Sequence, residues 1–152
     1  MQPSGMESSP HPLVDLTANC ACGAVHLHVV GAIRSMLLCS CEDCQKASGT
    51  GHSTVALVGA DDVAVTGETK SFSRPANSGA ILTRYFCPQC GTPLYGQSSR
   101  APGIRMLAVG FFGKDTDWFK PNQLIFHCSH RAWDELAVSL PRHETYRDEA
   151  AQ

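Results

Sequence analysis

The chain has 152 residues, 43% hydrophobic and 17% charged, a size and balance that fit one domain with a core of its own. Its formal charge of −2 and dispersed basic residues provide no cationic face for a phosphate backbone, so nucleic acid is not an expected partner. No apolar run nears the roughly 20 residues that span a bilayer, so no membrane partner is expected either.

Residues 1–12 hold three prolines among serine and glycine and are predicted to be disordered, because they bury too little to offset the entropy of ordering. They also lack the basic and apolar regions of a secretory signal, which points to a reducing, cytoplasmic setting with free thiols. The body runs from residue 13 to 140. Val25-His26-Leu27-His28-Val29 alternates with a period of two, so it reads as a strand that turns His26 and His28 to solvent. One or two helical turns are predicted from Glu42 to Ala47, after a bend at Cys41. Short β-branched or aromatic runs near 53–58, 80–86, 104–111 and 123–128 predict further strands, punctuated by Gly31, Gly59, Gly67, Pro75, Gly79, Gly91, Gly103 and Gly113. A second short helix is predicted from Ala132 to Ala137. Residues 141–152 form a polar tail predicted to fray. The fold class is mainly β, a single domain with few short helices.

Seven of the eight cysteines fall into three clusters: Cys20 and Cys22; Cys39, Cys41 and Cys44; Cys87 and Cys90. Zinc takes four protein ligands in a closed structural site and three where a position stays open for substrate. Seven thiolates therefore divide into one closed and one open site. The Cys87-Pro-Gln-Cys90-Gly91 turn and the Cys20-Ala-Cys22-Gly23 turn are each half a site, and together they make a four-cysteine clamp between distant parts of the chain. Cys39, Cys41 and Cys44 supply three ligands within six residues and are the candidates for chemistry. Three alternatives stay open from spacing alone: disulfides, a zinc ribbon joining Cys41 and Cys44 to Cys87 and Cys90, and closure of the second site by Cys128.

A zinc with three thiolates is a weak Lewis acid toward water, whereas a substrate thiol is deprotonated outright on coordination. Addition of a small thiol to an aldehyde, or the reverse, follows from such a ligand set. Around it stand weaker candidates. His52 is placed to shuttle the proton or to take the fourth position. Ser48 and Gly49 form a turn able to offer backbone N–H groups to an anion, and Lys46 is a point charge for a carboxylate. Trp133, with Phe126 upstream, would floor a ligand cleft. His127 and His130 flank Cys128 and suggest a third metal position.

The strings CACGAVHLHV, CSCEDCQKASG, FCPQCGTPLY and PNQLIFHCSHRAWDEL resemble the glutathione-dependent formaldehyde-activating enzyme family, which includes centromere protein V, over about residues 15 to 137. The resemblance implies a zinc-pinned β-tent fold, a structural zinc on Cys20, Cys22, Cys87 and Cys90, and a second zinc on Cys39, Cys41 and Cys44. It also implies condensation of glutathione with formaldehyde, a carbon–sulfur lyase reaction run backwards. The competing class is a non-catalytic zinc module that binds a small ligand or a protein, and a fourth protein ligand at the Cys39 cluster would favour it.

Overall fold

A computed structural model describes residues 11–136 and 139–147. The strands are β1 (Leu13–Asn19), β2 (His26–Ala32), β3 (Ser35–Cys39), β4 (Ser53–Gly59), β5 (Val63–Thr66), β6 (Lys70–Pro75), β7 (Ile81–Phe86), β8 (Pro93–Ser98), β9 (Ala101–Ala108) and β10 (Leu124–Ile125). The single α-helix among the described residues, α1, spans Glu42–Ser48 between β3 and β4. No helix among them is long and apolar enough to cross a membrane.

Two sheets result. β1, β2 and β5 form an antiparallel sheet in the order β1-β2-β5. The other seven strands follow the order β10-β3-β4-β9-β8-β7-β6, antiparallel except for the β10–β3 pair. The period of two in the sequence explains what lies between them. Leu16, Leu27 and Val29 of the small sheet meet Ala56, Val58, Leu94 and Leu107 of the large one, all buried, with Ile33, Val109 and Phe112 sealing the core. At about 25 cal/mol per Å² of apolar surface removed from water, this layer is what holds the sheets face to face. His26 and His28 lie on the outer face, where their rings meet Asn19 and Asp15 at 2.8 Å.

The predicted strands near 53–58 and 80–86 form as β4 and β7. The run at 104–111 is divided, because the chain leaves β9 at Ala108 and makes a 3₁₀ turn over Val109–Phe112. The run at 123–128 gives only the two residues of β10 before a 3₁₀ turn at His127–Ser129. The helix predicted from Ala132 does not form: the chain turns at Ala132 and Trp133, and the Asp134 N–H donates to the carbonyl of Arg131.

The tail also departs from expectation. Its residues 141–147 lie alongside 124–128, with a parallel bridge between Leu124 and Arg142: Leu124 N–H donates to Pro141, Phe126 to Thr145, His127 to His143 and Cys128 to Glu144. These are main-chain bonds, so a polar sequence makes them as readily as an apolar one. The expectation for residues 1–10 and 148–152, and the end of the predicted helix at Ala137, lie outside the described residues.

Candidate active site

The two ends of the clamp are brought together by the sheets that carry them. Cys20 and Cys22 sit in the β1–β2 connection, and Cys87 and Cys90 in the β7–β8 connection, so one cluster of sulfurs ties the small sheet to the large one. Both turns close on a glycine in the left-handed region, Gly23 at φ 83° and Gly91 at φ 77°. The Cys22 sulfur stands 3.7 Å from those of Cys20 and Cys87. Four sulfurs at about 2.3 Å from a common tetrahedral centre would stand about 3.8 Å apart, whereas a disulfide needs about 2.05 Å. The donor set therefore fits a thiolate-bound metal of zinc's size. Thr92 buttresses the clamp: its hydroxyl accepts from the Ala21 N–H at 3.2 Å and lies 3.1 Å from the Cys90 sulfur. That hydroxyl contact is the main reason the Cys90 thiol is pulled down to about 5.

The second cluster holds Cys39 at the end of β3, Cys41 at the N-cap of α1 and Cys44 in its first turn, with their sulfurs within 4.8 Å of one another. α1 is short but firmly ended. The Cys41 sulfur accepts from the Cys44 N–H at 3.3 Å, and Gly49 closes the helix at φ 76°. Within the cluster the Cys39 and Cys44 thiols donate to Cys41, which is held down to about 2, while sharing its proton with Cys41 and Cys44 pushes buried Cys39 well above the ordinary thiol range. This is a set of sulfurs already arranged around a common charge. Among the described residues no other cysteine, histidine or carboxylate joins it. Cys128 is exposed and lies outside both clusters, its sulfur 3.9 Å from the Ser129 hydroxyl. The Cys41–Cys44 and Cys87–Cys90 pairs belong to separate clusters, which replaces the ribbon alternative.

Cys44 opens onto a cavity of about 560 Å³ on the face of the large sheet that looks away from the core. α1 forms one side through Asp43, Cys44, Ala47 and Ser48, and β6 forms the far side through Phe72 and Arg74. The sheet curls enough for these two sides to meet: Arg74 and Asp43 form an ion pair at 3.1 Å across the rim.

His52 lines the same cavity, and its Nδ1 is 2.7 Å from the Asp134 carboxylate. Facing a carboxylate, Nδ1 carries the proton, which leaves Nε2 of the neutral ring as an acceptor. Asp134 is nearly buried and sits against Gly51, where any Cβ would overlap its carboxylate. Asp134 escapes sequence reasoning because it lies 82 residues from its partner. The signal that could have found it is Gly51 immediately before His52, a glycine that makes room for a close neighbour.

The remaining candidates are placed differently from one another. The Ser48 hydroxyl lies on the cavity and, with Thr50, holds the His52 backbone carbonyl. The Gly49 N–H is already spent on the Gln45 carbonyl. Lys46 is exposed on α1 and does not line the cavity. Trp133 is 68% exposed on its turn and lines neither core nor cavity. Phe126 is buried edge-to-face on Tyr146. The His127 and His130 rings stack at 5.2 Å and form no ligating group with Cys128.

A protein of Penicillium rubens whose provisional name is glutathione-dependent formaldehyde-activating enzyme is 30% identical over 116 residues, 67% of this chain and 60% of the relative. The chain thus matches less than two thirds of that relative's length. A solved Rhodobacter sphaeroides protein shares the fold, with a TM-score of 0.54 and 17% identity over 70% of this chain and 97% of that one. The family profile described as glutathione-dependent formaldehyde-activating enzyme matches residues 15–129, from β1 through both cysteine clusters to the turn after β10. The chain belongs to the glutathione-dependent formaldehyde-activating enzyme family.

Proposed function

We propose that the protein is a zinc-dependent carbon–sulfur lyase or synthase that joins a small thiol of the glutathione type to an aldehyde such as formaldehyde, or runs the reverse, in a reducing cytoplasm. The observation that carries this reading is the three-sulfur cluster that opens on a cavity through Cys44 and gains no fourth protein ligand among the described residues. A zinc held by Cys39, Cys41 and Cys44 would keep a substrate thiol ionised at neutral pH. A second zinc on Cys20, Cys22, Cys87 and Cys90 would serve the fold.

The chain's own residues supply the proton handling. As the substrate sulfur, already ionised, bonds to the carbonyl carbon, the C=O π pair moves onto oxygen, and a proton from solvent, replacing the one the thiol gave up on binding, must reach that oxygen. His52 Nε2 is the group to carry it, and Asp134 is the positioning residue that fixes the tautomer and holds the ring. Ser48 and Thr50 steady the loop by holding the His52 carbonyl. Arg74, whose charge helps to hold Cys41 as thiolate, offsets the excess negative charge of three sulfurs.

Calorimetry with glutathione in two buffers of different ionisation enthalpy tests the reading, using zinc-loaded protein and Cys44→Ser. Binding with release of a proton is expected only in the former, and NMR should then show faster adduct formation when formaldehyde is added. Equal binding by the variant would remove the site assignment. Binding without acceleration would favour the non-catalytic ligand-binding module.

A further inference from the structure

The wall of the cavity beyond Cys44 defines what fills it. Strand register sets Phe72 of β6 beside Arg84 of β7, Arg84 beside Gly96 of β8 and Gly96 beside Met106 of β9, a row across four strands of the cavity face. Val55, Leu82 and Ala108 extend it, and all three are only half-buried. At Gly96 a Cβ would press to 3.3 Å on the Met106 methyl, so glycine keeps the floor of this row free of side chain.

One charge stands in this apolar wall without a counter-charge. The Arg84 guanidinium lies 5.0 Å from the Phe72 ring centroid and has no carboxylate partner among the described residues. Arg74, by contrast, already has a carboxylate partner in Asp43, at 3.1 Å. Formaldehyde is a one-carbon molecule and does not require a cavity of about 560 Å³. Glutathione is polar along its whole length and offers little to an apolar floor.

We infer that the cavity takes a thiol with an apolar chain and an anionic end: the chain lies along the Phe72–Met106 row, the anion meets Arg84, and the sulfur reaches Cys44. Only the placement of the sulfur rests on the thiol chemistry proposed above. Apolar burial would supply the affinity, and the charge-assisted bond to a half-buried guanidinium the selection for an acid over a neutral analogue.

The test is calorimetry on the zinc-loaded full chain with 3-mercaptopropionate, 6-mercaptohexanoate and 8-mercaptooctanoate, together with 8-mercaptooctanol and sulfur-free octanoate. Affinity should rise by up to about fourfold per added methylene along the acid series. Arg84→Met should weaken 8-mercaptooctanoate about tenfold and leave 8-mercaptooctanol unchanged, while Arg84→Lys should recover part of the loss. Affinity that is flat with chain length, or an equal effect of Arg84→Met on acid and alcohol, would overturn the inference. Octanoate separates the two readings. If it binds through Arg84 and the sulfur of its thiol counterpart adds nothing, the cavity assignment stands and the thiol chemistry falls. If glutathione binds in a Cys44-dependent way while the acid series shows no trend, the inference falls alone.

Discussion

Gly51 shows how much of this site depends on one missing side chain. The Asp134 carboxylate occupies the space a Cβ would take there, and from that seat it holds His52 Nδ1 at 2.7 Å. Gly51→Ala should displace Asp134 and free the imidazole. Adduct formation should fall about tenfold or more, with a smaller effect on thiol binding, because orientation and not the sulfur site is lost. His52→Ala should cost on the order of 10²- to 10⁴-fold in the same NMR rate assay. Asp134→Asn, which removes the carboxylate and keeps the volume, should fall between wild type and His52→Ala and should shift the pH profile of the rate. An unchanged profile would make Asp134 a packing residue only.

At the scale of the elements, the cysteine partition was legible because each half-site is local: two or three sulfurs within six residues, bent by a turn or by the first turn of a helix. The two half-sites of the clamp lie 65 residues apart, from Cys22 to Cys87, so the binding energy of a metal held there would also be folding energy. Cys87→Ser should therefore unfold the domain or strip its structural metal, seen as loss of a cooperative melt by circular dichroism. Cys44→Ser should leave a folded protein with one metal fewer. Strands with clear alternation, β2, β4 and β7, were readable for the same local reason. The tail could not be read, since its pairing with 124–128 uses backbone groups that side-chain patterns do not report. The helix predicted from Ala132 failed because Asp134 is drawn across to His52, a long-range contact that overrides local propensity. Phe126, at φ 59°, marks where the chain bends out of β10, and its N–H bond to Thr145 helps to hold that bend.

For the whole molecule, two metal centres of unequal hold are expected. The clamp has four thiolates and spans both sheets, while the Cys39 cluster has three and faces a cavity. Stepwise chelation should remove one equivalent with the β signature intact and a second only together with unfolding, as read by metal analysis and circular dichroism on the same samples. Metal analysis showing a single equivalent in the untreated protein would refute the partition. The large sheet is an open sheet, and across the cavity rim the Arg74–Asp43 pair joins β6 to α1, with Asp43 half exposed there. Ion pairs with an exposed partner are commonly worth about 0 to 1 kcal/mol and are screened by salt. The seam is therefore a weak one, and β6 should breathe away from α1 while the core between the sheets stays shut. Amides of residues 70–74 should exchange faster as ionic strength rises, and ligand arrival and departure should quicken with them. Traffic into the cavity would then be set by the salt of its surroundings and not by the stability of the fold.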